Sequence, residues 1–530
     1  MKYAVLRRFS FASRRTSLTK KWIFLLYVVG AISLAALVLA RSGGPAQVAS
    51  AAQLPNVVVI MADDLDLNMT ETLLQGGYMP NLQTHIVDAG TTFENSFVTS
   101  AVCCPSRATF LTGQYSHNHQ VLGNLLPDGG ASRLDDTTTL ATWLQDAGYV
   151  TGFVGKDLNQ YGDNPNAPPD SALNPTYVPP GYDYWRGFLD LEMYNYDVNV
   201  NGTLKRYGNR TRDYQTDVID DLATRFIRAA DGQDNSPFLL ILTPTAPHSE
   251  SLDAVSLSGC GHPEWSRTIR PARRHAGDLA SLPFPQPASF NEADLTDKVP
   301  FLQQSLPLMT QAMIDCAEEQ YQNRAEAVLA IDDLVGSVVD ELIHQQELDN
   351  TVLIFTSDNG FFHGEHRLFQ KLIPYEEALR VPLYIRAPGY TAGQRVEQFA
   401  LNNDLAPTIA ELAGVTPGRA VDGRSLLAVM QNPSLQTWRQ RFLIEFLGTV
   451  RVTVPHFTGI RTAQSDSTAP NQVYMSWEDG SLEYYDLAID PDQMQSDHDN
   501  PSRSEELQAL EGYLNNLLPC GNGSCQTFED

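Results

Sequence analysis

The segment from Cys103 to Gly113 combines a thiol, a guanidinium and a helix start in one short string, Cys-Cys-Pro-Ser-Arg-Ala-Thr-Phe-Leu-Thr-Gly. Pro105 suits the first turn of a helix because its missing N–H needs no partner there, and Gly113 is typical of a helix end. The first turn of a helix points free backbone N–H groups outward, which favours an anion. Arg107 adds a planar fork of donors for oxygen anions. The string therefore predicts a reactive thiol beside an anion-binding helix start.

Polar residues follow four apolar segments that are typical of buried strands. The segments are 56–61, 149–154, 237–242 and 351–356, and the residues that follow them are Asp63 and Asp64, Lys156, His248, and Asp358 and Asn359. Continuous apolar runs of this length indicate parallel strands, and open α/β sheets build their sites at the carboxyl ends of such strands. Carboxylate and amide oxygens suit Ca²⁺ or Mg²⁺ better than a soft metal. The pattern predicts a hard cation beside the anion site.

The pattern Cys-x-Pro-Ser-Arg followed by Ala-x-x-Leu-Thr-Gly resembles the signature of the type I sulfatases, in which the first cysteine is oxidised to formylglycine. By this resemblance Cys103 is the modified residue, Pro105 and Arg107 belong to the modification and active-site signal, and Cys104 is a packed thiol at a variable position. The resemblance also implies a formylglycine-generating enzyme as a partner. It implies one divalent cation, Ca²⁺ with Mg²⁺ as the alternative, bound by Asp63, Asp64, the formylglycine oxygen at Cys103, Asp358 and Asn359.

Three further residues match family positions that contact the sulfate or the leaving oxygen, namely Lys156, His248 and Lys371. Many family members carry Gly-Lys-x-His, with the histidine assisting the formylglycine hydroxyl, but this chain has Leu158 in that place. We therefore expect Asn159, or His117 and His119, to take that role. These motifs are most similar to the glucosamine 6-sulfatase branch, and the resemblance runs from about Asn56 to Cys525.

The resemblance implies a sulfuric ester hydrolase that acts on a sulfated sugar or on an aryl or alkyl sulfate. One hydroxyl of the hydrated aldehyde attacks sulfur, Lys371 or His248 protonates the departing alcohol, and the second hydroxyl then expels sulfate. Two other readings stay open from the sequence. One is a phosphoester or phosphonate hydrolase on the same scaffold, and the other is a non-catalytic binder of sulfated glycans.

The amino-terminal residues predict export. Residues 1–21 contain seven Lys and Arg and no acid, and 22–40 is a mostly apolar run. We expect residues 1–51 to be a signal peptide or a membrane anchor, so that the protein is secreted, periplasmic or lumenal and contacts a membrane only through this segment. The whole chain has 63 acidic residues against 36 Lys and Arg, and this acidic balance argues against nucleic acid as a partner.

The remaining pattern predicts an α/β architecture. By the resemblance, residues 52–432 form a large alkaline-phosphatase-like domain with a mostly parallel sheet flanked by helices, and 433–530 a smaller α+β domain. Helices are expected over 140–147, 321–346 and 504–518, with antiparallel strands over 442–446, 450–454, 472–477 and 482–487. The stretch 251–305 lacks periodicity and is predicted to be an irregular loop over the site. Cys520 and Cys525 predict a small disulfide loop, and Cys260 and Cys316 a possible second bridge.

Overall fold

A ten-stranded mixed sheet forms the centre of the molecule, in the order β13-β2-β12-β9-β1-β8-β4-β5-β6-β7. The computed structural model describes residues 54–231, 236–305, 307–451 and 454–530. The strands are β1 Asn56–Ala62, β2 Thr91–Phe93, β3 Ser96–Phe97, β4 Val150–Lys156, β5 Tyr184–Phe188, β6 Asp197–Val200, β7 Thr203–Arg206, β8 Phe238–Thr243, β9 Thr351–Ser357, β10 Phe362–His363, β11 Phe369–Gln370, β12 Leu383–Arg386, β13 Gln394–Val396, β14 Ala400–Leu401, β15 Arg441–Phe446, β16 Phe457–Thr462, β17 Gln472–Trp477 and β18 Leu482–Asp486.

The four strands predicted from apolar runs are neighbours in this sheet and run parallel. β1 lies between β9 and β8, and β8 pairs with β4 on its other side. The register places Ala62 opposite Ser357, so the strand ends that precede the Asp63–Asp64 and Asp358–Asn359 pairs are level. At the end of β4, Gly155 has φ +133° and approaches Thr243 so closely that a Cβ there would lie 2.2 Å from its carbonyl oxygen. The expected meeting of four strand ends at one edge is confirmed.

Helices cover both faces of the sheet, as predicted for an α/β fold. They are α1 Leu67–Gln75, α2 Pro80–Leu82, α3 Cys103–Thr112, α4 Ser116–His119, α5 Leu140–Asp146, α6 Gln215–Asp231, α7 Pro300–Ser305, α8 Gln311–His344, α9 Glu376–Leu379, α10 Leu405–Leu412, α11 Leu427–Gln431, α12 Ser504–Leu517 and α13 Cys525–Glu529. A π-helical turn, Gln83–Val87, follows α2. The buried side chains of alternate strand positions face two apolar layers, one with α6 and α8 and the other with α3, α5 and α10.

Two expectations need correction in the central region. The long helix α8 begins at Gln311, ten residues before the predicted start at Tyr321, because the Thr310 side chain accepts a hydrogen bond from the Met313 N–H and caps it. The stretch 251–305 is irregular over most of its length, but it ends in the short helix α7. A disulfide joins Cys260 in this stretch to Cys316 on α8, which confirms the second bridge.

The carboxyl-terminal region contains the expected antiparallel sheet, in the order β15-β16-β17-β18, with α12 packed against it. The expected strand at 450–454 is wrong. Residues 450, 451 and 454 are not in a strand, 452 and 453 lie outside the described residues, and β15 instead pairs with β16, which begins at Phe457 just after Pro455. The Cys520–Cys525 disulfide is present as predicted.

The structure does not test two of the sequence predictions. The domain boundary at residue 433 stays a prediction, and the expected leader at 1–51 lies outside the described residues. Among the helices of residues that the structure describes, none is long and apolar enough to cross a membrane.

Candidate active site

The thiol of Cys103 lies at the first residue of α3, at the edge where the parallel strands end. Helix α3 is buried along its whole length and ends at Gly113, whose φ of +70° is the left-handed conformation expected of a helix cap. The Cys103 Sγ lies 3.6 Å from Asp63 Oδ1, 3.9 Å from Asp64 Oδ1 and 2.7 Å from the Lys371 ammonium. Residues separated by about 40 to 270 positions in the sequence thus meet at one sulfur atom.

Four oxygen-bearing side chains at the ends of β1 and β9 surround this point. The Asp64 N–H donates to Asp358 Oδ1 at 3.0 Å, and the Asn359 amide donates to Asp64 Oδ1 at 2.8 Å. Asp64 itself has φ +67°, a conformation that non-glycine residues rarely adopt and that is typical of functional sites. The buried Asn359 Oδ1 has no hydrogen-bond partner among the described residues.

The donor set fits a hard divalent cation. Asp63, Asp64 and Asp358 are at most 2% exposed, and the unpartnered Asn359 oxygen is an acceptor that such an ion would satisfy. Ligand atoms of Asp63, Asp64, Cys103 and His248 all lie within 4.8 Å of one another. We conclude that the residues present could hold the cation that the sequence predicted.

Buried cations balance these carboxylates. Lys156 Nζ lies 2.5 Å from Asp63 Oδ2, and Lys371 pairs with Asp64. Arg107 Nε donates to Asp358 Oδ2 at 2.8 Å, and its Nη1 donates to the Lys156 carbonyl at 2.7 Å. Arg107 therefore connects helix α3 to the ends of β9 and β4. Because cationic and anionic side chains alternate in the site, each buried charge lies beside one of opposite sign.

Protonation in the site follows from burial and from these charges. Burial raises the pKa of the Cys103 thiol to about 12, even though Lys156 and Lys371 act against the rise. Burial also raises the carboxyl pKa of Asp64, but the neighbouring cations, Lys371 foremost, outweigh it and hold that pKa below its usual value. Burial lowers the Lys371 pKa, yet Asp64 and Cys103 raise it above its usual value overall. At neutral pH the site holds a protonated thiol, an ionised Asp64 and an ammonium at Lys371.

His248 lies beside the same carboxylate in a neutral form. Its Nε2 lies 3.7 Å from Asp64 Oδ2, and its Nδ1 donates to the Ser249 carbonyl 2.7 Å away. Burial lowers the imidazole pKa to about 3, although Asp64 acts to raise it. A neutral ring whose Nδ1 carries the proton presents a lone pair at Nε2 to the site.

Sequence reasoning missed Arg324, which lies in the middle of α8. Its guanidinium donates to the Pro247 carbonyl at 2.9 Å and to the Asp64 carbonyl, and it stacks 3.6 Å from the Phe361 ring. It is completely buried and holds the two loops that follow β1 and β8 together. An arginine inside the apolar stripe of a helix was the available signal, because a buried guanidinium needs acceptors.

Of the three side chains proposed for the missing family histidine, the two imidazoles bond elsewhere. His117 pairs with Glu445 at 2.9 Å and contacts the Cys520 carbonyl, while His119 contacts the Thr109 hydroxyl at 3.0 Å. Asn159 Oδ1 is buried without a hydrogen-bond partner in the described part of the chain. Among the hydrogen bonds of the described residues, none joins these three side chains to Cys103, so their assisting role stays a prediction.

Comparisons with known proteins show which family the chain is similar to. A family model described as Sulfatase matches residues 55–415, and one described as N-sulphoglucosamine sulphohydrolase, C-terminal, matches residues 364–518. The N-acetylglucosamine-6-sulfatase of Capra hircus is 32% identical over 523 residues, which cover 91% of this chain and 87% of that protein. The arylsulfatase of Volvox carteri is 33% identical over 516 residues, covering 90% and 76%.

A solved structure described as a complex with its substrate D-glucosamine-2-N,6-O-disulfate superposes with a TM-score of 0.67 at 25% identity. The match covers 87% of this chain and 97% of that one. Together the two family models span residues 55–518, which include the central sheet, the site residues and most of the carboxyl-terminal region.

Proposed function

Because the chain belongs to the sulfatase family and is a sulfuric ester hydrolase, we propose that it acts through a formylglycine made from Cys103. The observation that carries this proposal is the position of the Cys103 thiol, which lies within reach of Asp63, Asp64 and Lys371 at the ends of parallel strands. The high pKa of the thiol, about 12, supports the need for conversion, because a protonated thiol is a weak nucleophile. The conversion removes sulfur and two hydrogens and adds one oxygen, an oxidation assigned to a formylglycine-generating enzyme.

The hydrated aldehyde would act in two steps. One hydroxyl loses its proton and attacks sulfur, forming a new S–O bond as the bond to the alcohol breaks and the departing alkoxide takes up a proton. The second hydroxyl then loses its proton and expels inorganic sulfate as the aldehyde re-forms, and water hydrates the aldehyde again. Covalent catalysis of this kind replaces one difficult step by two easier ones. Lys156 and Arg107, both cationic and buried, lie where they could hold the sulfate oxygens.

We propose that Asp63, Asp64, Asp358, Asn359 and the oxygen at position 103 hold one divalent cation, Ca²⁺ rather than Mg²⁺. The unpartnered Asn359 oxygen and the three buried carboxylates support this ligand set. Such an ion polarises a sulfate ester and lowers the pKa of a hydroxyl bound beside it. A set of three carboxylates and an amide oxygen favours Ca²⁺, which takes more protein oxygen ligands than Mg²⁺.

Lys371 is the proton donor that we favour for the departing alcohol. Its ammonium lies 2.7 Å from Cys103 Sγ and keeps its proton at neutral pH. His248 is neutral and presents a lone pair to the site, which suits it to accept a proton or to hold a substrate hydroxyl.

The proposed substrate is a glucosamine-type sugar that carries a 6-sulfate. The support is the similarity to an N-acetylglucosamine-6-sulfatase over most of both chains and to the structure that holds a glucosamine disulfate. We also propose that the protein is exported, from the basic and apolar leader in the sequence and because a relative carries the name extracellular sulfatase.

Mass spectrometry of the peptide that ends at Arg107, from protein made in its native host, tests the modification. We expect the aldehyde or its hydrate at position 103, and Cys103→Ala should abolish turnover without changing the melting temperature. An unmodified thiol in fully active protein, or full activity of the alanine variant, would refute the mechanism.

Substrate preference is tested separately. We expect glucosamine 6-sulfate to be hydrolysed faster than the 3-sulfate isomer, and a chromogenic sulfate ester faster than the phosphate ester of the same alcohol. Preference for the phosphate ester would support the phosphoesterase alternative, and binding of sulfated sugars without turnover by formylglycine-containing protein would support the non-catalytic alternative.

A further inference from the structure

Lys371 stands on a backbone segment that is strained on both sides. Gln370 has φ +77° and Leu372 has φ +93°, and His366 and Arg367 a few residues earlier also have positive φ values. Residues other than glycine rarely adopt these conformations, and they persist only where surrounding contacts impose them. The position of the Lys371 ammonium therefore depends on what holds this segment from outside.

Two residues of the irregular stretch 251–305 contact the strand β11 that immediately precedes Lys371. The Trp265 ring packs against the Phe369 ring with centroids 4.9 Å apart, and the Glu264 carboxylate accepts a hydrogen bond from the Gln370 amide. Trp265 is buried, whereas the Glu264 side chain is about one-third exposed. An apolar contact and a polar contact thus hold two successive residues of the strained segment.

The turn that carries these two residues is itself fixed to the long helix α8. Gln320 donates its side-chain amide to the Trp265 carbonyl at 2.5 Å and approaches the Glu264 carbonyl at 3.5 Å. The disulfide from Cys260 reaches Cys316, one helical turn before Gln320 on the same face. The same helix carries Arg324, which binds the Asp64 carbonyl. Contacts to the same helix, α8, therefore hold both the turn that contacts the Lys371 segment and the backbone of Asp64.

We propose that Glu264 and Trp265 are positioning residues that set the Lys371 ammonium for proton transfer to the departing alcohol. The proposal rests on the role of Lys371 proposed above. Without these contacts the strained backbone relaxes and the ammonium moves away from the leaving oxygen. A displacement of about 1 Å in such a group lowers rates by on the order of 100-fold.

The ratio of kcat/KM for phenyl sulfate and p-nitrophenyl sulfate isolates this effect. Phenol is the poorer leaving group and needs the proton more, so misplacing the donor slows phenyl sulfate more than p-nitrophenyl sulfate. A merely structural role would lower both rates equally, and the ratio does not depend on how much of the protein is folded or carries formylglycine. We expect Glu264→Ala and Trp265→Ala to lower the phenyl to p-nitrophenyl ratio by about tenfold or more.

Conservative variants and a control sharpen the test. Glu264→Gln keeps an acceptor and Trp265→Phe keeps a ring, so both should retain most of the wild-type ratio. Asp253→Ala, an exposed acidic position in the same stretch, should leave the ratio unchanged. If Trp265→Ala yields too little folded protein, Glu264→Ala alone decides, because it shortens a partly exposed side chain.

Variants of Lys371 separate failure of this inference from failure of the proposed function. Lys371→Ala should lower the ratio at least as much as Glu264→Ala, and adding Glu264→Ala to it should change nothing further. A normal ratio in Lys371→Ala would overturn the role of Lys371. A low ratio in Lys371→Ala with a normal ratio in Glu264→Ala and Trp265→Ala, or additive effects in the double variant, would overturn the positioning role.

Discussion

Replacing Arg107 by methionine should destabilise the protein strongly, because its guanidinium is the main partner of a buried carboxylate. Arg107 is 3% exposed and Asp358 is fully buried, with 2.8 Å between Nε and Oδ2. In metal-free protein, removing one partner of a buried ion pair costs about 3–5 kcal/mol, since the other charge stays buried with less compensation. The Lys156 carbonyl also loses its donor, whereas Asp63 keeps the Lys156 ammonium.

The double variant Arg107→Met/Asp358→Asn removes both charges, so it should cost less than the sum of the single variants. We expect a coupling free energy of about 2–3 kcal/mol, in the upper range for residues in contact. The remaining cost reflects the Arg107 donor that the Lys156 carbonyl loses, on the order of 1–3 kcal/mol.

Urea unfolding followed by tryptophan fluorescence measures these free energies. Arg225→Met is the matched control, because Arg225 and its partner Asp221 are both more than half exposed on α6 and such pairs contribute less than about 1 kcal/mol. The reasoning fails if Arg107→Met costs no more than Arg225→Met, or if the effects of the Arg107 and Asp358 substitutions simply add.

Three further predictions concern the cation, a buried acid and the carboxyl-terminal region. A chelator should lower the melting temperature of the active enzyme and Ca²⁺ should restore it, because an ion at 100 times its Kd adds about 2.7 kcal/mol to the free energy of unfolding. The shift should be smaller in Asn359→Leu, which lacks one of the proposed ligands. Burial raises the pKa of the Asp157 carboxyl from 3.8 to about 7, so the stability it contributes is complete below pH 3.8 and lost as the pH rises through 7. Asp157→Asn should therefore raise the free energy of unfolding at pH 8 by about 4 kcal/mol, with a higher melting temperature, and leave both nearly unchanged at pH 4; an equal gain at both pH values would contradict this. Arg439→Met, which removes a fully buried partner of Asp404 and Glu529, should cost about 3–5 kcal/mol in urea unfolding while the folded fraction keeps the wild-type kcat; a loss below 1 kcal/mol would refute it.

Much of the site could be predicted because its signals are local. An apolar run followed by Asp63 and Asp64 indicates a buried strand with acids at its carboxyl end, and the parallel arrangement brings such ends together. Arg324 gave a weaker signal, because its partners are carbonyl groups of loops that follow other strands. The assisting histidine could not be assigned, since an imidazole bonds to whatever the fold places nearby, and for His117 that is Glu445.

The sequence by itself determined three features of this protein: the helix that starts at Cys103, the strands that are followed by Asp63 and Asp358, and the membership of a sulfatase family. Periodicity, turn chemistry and a short motif determine these features within a few residues of chain. Only the tertiary structure decided that the Glu264 turn packs beside Lys371. That contact joins residues about 100 positions apart, and one of them lies in the stretch 251–305, which has no periodicity. Such contacts depend on packing, charge compensation and a disulfide between distant segments, and no local pattern specifies them.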